Sequence, residues 1–226
     1  FTCDDVGTPV DVTLYATDEY GNQNSCQSVI SIIDPFGLCD LTPTATIAGV
    51  IETEKEIPVG LTTVSVTSSN GNNASINYTT ANDGSFSFDL PIDENYTISP
   101  EKNVNWLNGV TTYDLVLLSQ HILGVNQLNS PYKIIAADAS NDGKVTTFDI
   151  VELRALILHV VDELPNNDSW RFVDKSYQFP NAMNPFSPAY PEVININDLS
   201  QDMLYNDFIG VKIGDLNGDV VPSNLY

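Results

Sequence analysis

Fourteen residues occur twice, thirty-five positions apart: Val110-Thr-Thr-Tyr-Asp114-Leu-Val-Leu-Leu-Ser-Gln-His-Ile-Leu123 and Val145-Thr-Thr-Phe-Asp149-Ile-Val-Glu-Leu-Arg-Ala-Leu-Ile-Leu158 agree at eight positions. An internal repeat of this kind constrains the fold to two copies of one small supersecondary unit. The second copy is preceded by a run rich in oxygen donors. Counting from Asp138, the residues Asp138, Ser140, Asp142, Thr146 and Asp149 fall at positions 1, 3, 5, 9 and 12 of a twelve-residue loop, with Gly143 at position 6. A hard cation that takes six to eight oxygens needs the chain wrapped around it, with a glycine for the sharp turn and a backbone carbonyl at position 7. Lys144 stands there, so only its backbone oxygen serves. The sequence therefore predicts a Ca2+ loop opening an apolar helix.

The first copy is degenerate. With Asp114 as position 12, Asn103 and Asn105 take positions 1 and 3 and Thr111 takes 9, but Leu107 stands at 5 and Gly109 at 7. One carboxylate in place of three predicts weaker calcium affinity, because affinity follows ligand charge. A further half-loop, Gly214-Asp215-Leu-Asn217-Gly-Asp219-Val, repeats the opening of such a loop with Asp215, Asn217 and Asp219 at positions 1, 3 and 5. Two readings stay open for it: a solvated acidic turn, or acids that fold back beside the first repeat and supply the charge it lacks.

Two loop-plus-exiting-helix units, without the entering helix of an EF-hand, resemble the type I dockerin over about residues 102–160. The resemblance implies a calcium-stapled module that docks onto cohesin-like or other cell-surface receptors. It also implies that Thr112-Tyr113 and Thr147-Phe148 lie near the recognition face. Read from the residues alone, without that resemblance, both rings are expected in the core.

Composition sets outer limits. Thirty acidic residues against eight basic ones, a net charge of -22, exclude nucleic acid and anionic membrane as default partners. No apolar run reaches the length of a membrane span, so membrane insertion is not expected. Catalytic signatures such as Gly-x-Ser-x-Gly or His-Glu-x-x-His are missing, and the chain is read as no enzyme. His121 and His159 are expected as helix-end or core residues. Phe1 is not a start residue, and the chain is read as a fragment.

Upstream of the repeats the pattern is β. Val10–Asp18 alternates, a turn follows at Glu19–Asn22, and Ser28–Ile33 supplies a second strand. This stretch resembles the last strands of a hyalin-repeat, immunoglobulin-like module, and the resemblance implies a Cys3–Cys26 disulfide. Cys39 is left over, an unpaired thiol or one whose partner lies outside the chain. So few strands are expected to be completed by other polypeptide, upstream in the same chain or from a neighbouring subunit, which makes a homo-oligomer one of the expectations.

Residues 46–51, 63–67, 75–79, 85–90 and 96–99 read as short strands between turn clusters, an antiparallel sandwich that resembles the carboxypeptidase regulatory-like family. Residues 161–213 are expected to wrap the helical repeats. Together with the C-terminal half-loop they resemble the end of giant surface proteins exported by the type IX system. The fold expected is mainly β with a small α part, in three domains: 1–40 immunoglobulin-like, 41–101 sandwich, and 102–226 dockerin-like with its C-terminal wrap. The function expected is a secreted, calcium-stabilised structural or adhesive module of the cell surface or a filament, partnered by other domains or subunits of the same protein. The alternative is the attachment region of a secreted polysaccharide-degrading enzyme.

Overall fold

The computed structural model describes residues 1–35, 43–69 and 75–223. They form two compact units, Phe1–Pro43 and Thr44–Tyr226.

The first unit is a hairpin. Strands β1 (Pro9–Thr17) and β2 (Gln23–Ser31) pair antiparallel, closed by a turn in which the Asp18 carboxylate accepts the Tyr20 and Asn22 amides, each at 2.9 Å. Cys3 is disulfide-bonded and Cys26 is free and exposed, so the expected Cys3–Cys26 bridge is not made. Register explains the correction. Cys26 lies opposite Leu14 in mid-ribbon, whereas Cys3 precedes the Val6–Ile32 bridge at the ribbon's far end. Five residues of strand separate Leu14 from Pro9, roughly 16 Å at strand rise, beyond the ~7 Å reach of a disulfide. Cys39 lies outside the described residues.

In the second unit the five expected strands appear as β3 (Thr44–Glu52), β4 (Thr63–Ser68), β5 (Ser75–Thr79), β6 (Ser85–Pro91) and β7 (Tyr96–Glu101). Three more come from the segment expected to wrap the helices: β8 (Trp170–Asp174), β9 (Ile194–Ile196) and β10 (Phe208–Lys212). The sheets run β6-β3-β10-β8 and β5-β4-β7-β9, and β10 pairs parallel to β3 while its other neighbour β8 is antiparallel. The boundary expected at residues 101 and 102 therefore does not separate compact units.

Alternation along the strands builds the core between the sheets. Ile47 and Ile51, Val64 and Val66, Phe86, Phe88 and Leu90, and Tyr96 and Ile98 point inward, joined by Trp170, Phe172, Ile196 and Phe208. A second core lies on the other face of β8 and β10, where Val173, Ile209, Val211 and Ile213 meet helices α1 (Thr112–Ile122), α2 (Pro131–Ala137) and α3 (Thr147–Ile157). Strand β10 is buried at all five residues because it forms a wall of both cores. Helix α2 was not foreseen. It starts on a Ser130 cap with Pro131 in its first turn, and Asp138 is its C-cap, so the second loop does have a short entering helix.

Candidate metal centre

Both repeat helices begin alike. Thr146 caps α3 and Asp149 completes its capping box, while Thr111 and Asp114 do the same for α1. Asp149 and Asp114 are fully buried, although each is a carboxylate.

In the second loop the carboxylates organise the backbone. Asp138 accepts the amides of Asp142 through Oδ1 at 3.1 Å and Gly143 through Oδ2 at 2.9 Å. Asp149 Oδ1 accepts the Ser140 amide at 2.9 Å, and its Oδ2 accepts the Thr146 amide at 2.7 Å. Asp142 Oδ1 accepts the Lys144 amide at 3.0 Å. Gly143 takes φ +76, which opens the turn between positions 6 and 7.

The C-terminal half-loop repeats this scheme against Asp114. Asp215 accepts the amides of Asp219 at 3.3 Å through Oδ1 and Val220 at 3.1 Å through Oδ2, again positions 5 and 6. Asp114 Oδ1 accepts the Leu216 amide at 2.8 Å and the Asn217 amide at 3.3 Å, and its Oδ2 accepts the Thr111 amide at 2.8 Å. Positions 1–6 thus come from residues 215–220 and positions 7–12 from residues 109–114. At the junction the Asn108 side chain pairs with the Val221 backbone through two hydrogen bonds of 2.8 and 3.2 Å. Gly109, at φ +77, lies so near that a Cβ there would stand 2.7 Å from Val220 Cα. Of the two open readings for the terminal acids, the geometry is that of the fold-back.

Asn103 and Asn105 do not form the opening of that loop. Asn103 Oδ1 instead accepts the Ser169 amide at 2.9 Å beside β8, and Asn105 takes φ +53 with its carbonyl accepting the Asn108 amide at 3.0 Å. The terminal residues have taken their place.

Several supporting side chains escaped the sequence reading. Asn167 donates to the Asp138 and Ala139 carbonyls at 2.9 and 3.3 Å, and Arg171 on β8 donates to Asn141 Oδ1 at 2.9 Å while paired with Glu192. Lys55 Nζ donates to the Asn217 and Gly218 carbonyls at 2.9 and 2.8 Å. Lys102, buried and over the Trp170 ring, donates to the Pro222 carbonyl at 2.6 Å. None carries a local signal, since each partner lies in another element. His121 is structural, its Nδ1 accepting the Leu128 amide at 3.2 Å.

The electrostatics are those of crowded acids. Burial raises the Asp138 and Asp215 carboxyls above the usual range, against the lowering effect of their amide partners. Glu152 is raised by burial and then by Asp149, Asp138 and Asp142. Among the described residues no three His, Cys, Asp or Glu side chains converge as a ready cluster. A calcium loop does not require that, because hydroxyls and a backbone carbonyl supply part of its oxygens. The residues fit the ion on other grounds: an all-oxygen donor set of hard ligands, and a buried Glu152 Oε2 without a hydrogen-bond partner.

Residues 104–158 match the Dockerin type I domain. No curated protein matches the chain. Among solved structures, the chain is similar to the C-terminal fragment of pilus adhesin SpaC from Lactobacillus rhamnosus GG, at TM-score 0.26 and 14% identity over 42% of this chain and 38% of that one. Its iodide-soaked form gives TM-score 0.22 and 17% identity over 27% and 24%. The chain thus spans well under half of either.

The dockerin match ends before the half-loop at 215–220, so the partner of Asp114 lies outside the dockerin segment. Tyr113 and Phe148 are 57% and 54% exposed, which corrects the expectation that they are core. Val116, Leu123 and Val125 are exposed as well, and so are their repeat equivalents Val151, Leu158 and Val160. Among the described residues no helix is long and apolar enough to cross a membrane.

Proposed function

We propose that the second unit is a calcium-stapled attachment module of an extracellular structural or adhesive protein, with one Ca2+ in the loop 138–149 and a second in the split loop formed by 215–220 and 109–114. The observation that carries this reading is the recurrence of one amide-to-carboxylate pattern in both loops, one continuous and one assembled from distant segments. Asp138, Ser140, Asp142, the Lys144 carbonyl, Thr146 and Asp149 would hold the first ion. Asp215, Asn217, Asp219, the Gly109 carbonyl, Thr111 and Asp114 would hold the second. The ion supplies positive charge to carboxylates that otherwise repel one another in a buried setting.

The Dockerin type I match supports a role in extracellular attachment. The partner we infer is a cohesin-like or cell-surface receptor protein seated on the duplicated apolar side chains Tyr113, Val116, Phe148 and Val151, whose exposure in both copies is what supports it. Other domains of the same surface protein are the remaining partners.

Calorimetric titration of the full chain with Ca2+ tests the metal reading. Two ions are expected, with the melting transition of residues 44–226 rising as one. At ~100 times the dissociation constant each site adds roughly 2.7 kcal/mol. A chain that takes up no calcium, with a melt unmoved by exhaustive chelation, sinks the reading.

A further inference from the structure

Glu152 stands where the first repeat carries Leu117. It follows Asp149 by three residues on α3, so the two share a helix face, and helical side chains lean toward the N-terminal end, here toward the second loop. Glu152 is 9% exposed, and its Oε2 is buried with no hydrogen-bond partner. The charges acting on it are those of Asp149, Asp138 and Asp142, all of its own sign.

An isolated buried carboxylate oxygen is costly, and the position has an apolar solution, since Leu117 occupies the same place on α1. A buried carboxylate that feels three others of its own sign makes physical sense when a cation sits in the adjoining loop. We propose that Glu152 is a fourth carboxylate of the second loop, supplying Oε2, directly or through one water, to the divalent cation held there. The proposal rests on the reading of residues 138–149 as a calcium loop. It also orders the two sites. The split loop has three carboxylates, Asp114, Asp215 and Asp219, and Leu117 at the matching helix position, so the second loop fills first.

The test is Ca2+ calorimetry on the full chain and its Glu152→Gln and Glu152→Leu variants, with melting curves in excess chelator. The tighter of the two binding events should weaken about tenfold or more in both variants, the range for losing a supporting group of a metal site. The chelated Glu152→Leu protein should melt no lower than the chelated wild type, because the change removes an unpaired buried charge and copies the first repeat. Wild-type affinity in both variants overturns the proposal. So does a weakened affinity accompanied by a lower chelated melt in both variants, which marks a packing role. Absence of calcium uptake by the wild type overturns instead the loop reading on which it rests, and the two failures are told apart by that one titration.

Discussion

The two acidic loops of this chain reach one arrangement by different routes. In the loop 138–149 the backbone runs without a break, and Gly143 at φ +76 makes the bend between positions 6 and 7. In the split loop the chain stops turning at Val220, and position 7 is supplied by Gly109 from more than a hundred residues upstream. Valine is tolerated at position 6 because no bend follows it. The glycine requirement has moved across the cut, to Gly109, where close approach of Val220 excludes a Cβ. What defines such a loop is therefore the set of amides facing carboxylates, and chain continuity is one way of presenting it. The routes differ in energy: closing a connection of ~100 residues rather than about a dozen costs roughly 2 kcal/mol more in chain entropy. The split version needs outside anchors, and Lys55, Lys102 and the Asn108–Val221 pair provide them.

Truncation before Gly214 breaks the comparison most severely. Removal of Leu216 and Val220 from their cores and of the partners of Asp114 should destabilise residues 44–213 by about 4–5 kcal/mol. Denaturant melts measure the loss, and calorimetry should count one calcium in place of two. Two ions bound by the truncated chain would refute the split site.

Asp149→Ala and Asp114→Ala should each cost about 2–4 kcal/mol, because each leaves buried amides unpaired and removes a helix cap. Their second effects should differ. Asp114→Ala should expose residues 214–223 to limited proteolysis, and Asp149→Ala should leave them protected. Equal cutting in both variants would show that the arm is not held by Asp114.

A smaller contrast lies at position 6. Gly143→Val forces a β-branched side chain into a left-handed backbone, an expected loss of about 1–3 kcal/mol together with loss of that loop's calcium affinity. Val220→Gly should cost only about 1–2 kcal/mol of buried side chain and leave the split site's affinity nearly intact. Matching affinity losses in the two variants, by calorimetry, would mean that both loops turn at this position.

A last effect is expected in pH. Burial depresses the Lys102 ammonium to about 8 from 10.5. Below about 8 the folded protein carries that buried charge. As pH rises from about 8 to 10.5 only the unfolded chain keeps the proton, so this group's contribution to stability increases over that window. Burial also depresses the Lys212 ammonium, to about 7, so Lys102→Met should lessen the rise in urea melts taken across that window without abolishing it. The second loop's Arg171 brace stays charged throughout and should show no such slope.

Much of this was legible in the sequence because its signals are local. Alternation placed five strands within two residues of their observed ends, and donor spacing marked residues 138–149. Asp215, Asn217 and Asp219 were recognisable as half a loop, but their partner was not. With Asp114 as position 12, the register of a continuous loop pointed to Asn103 and Asn105; in fact Asn103 secures the start of β8 and Asn105 makes a local turn with Asn108. Helix α2 was obscured by its length, although Ser130-Pro131 is a proper beginning. The domain boundary failed at 101 because strand pairing between β3 and β10 spans some hundred and fifty residues and leaves no mark on either segment alone. Cys26 failed as a bridge partner for a related reason, since hairpin register and not cysteine count fixes which thiols meet.

Strand β10 has a consequence for the order of events during synthesis. Both cores borrow it as a wall, and it lies at Phe208–Lys212, after every other element of the unit. Until those five residues emerge, the sandwich lacks a central strand of one sheet and the helices lack their floor. Contacts of such long sequence separation make folding slow and late. Until then the growing second unit lacks a closed wall for either core, and the last strand to arrive closes two structures in one step.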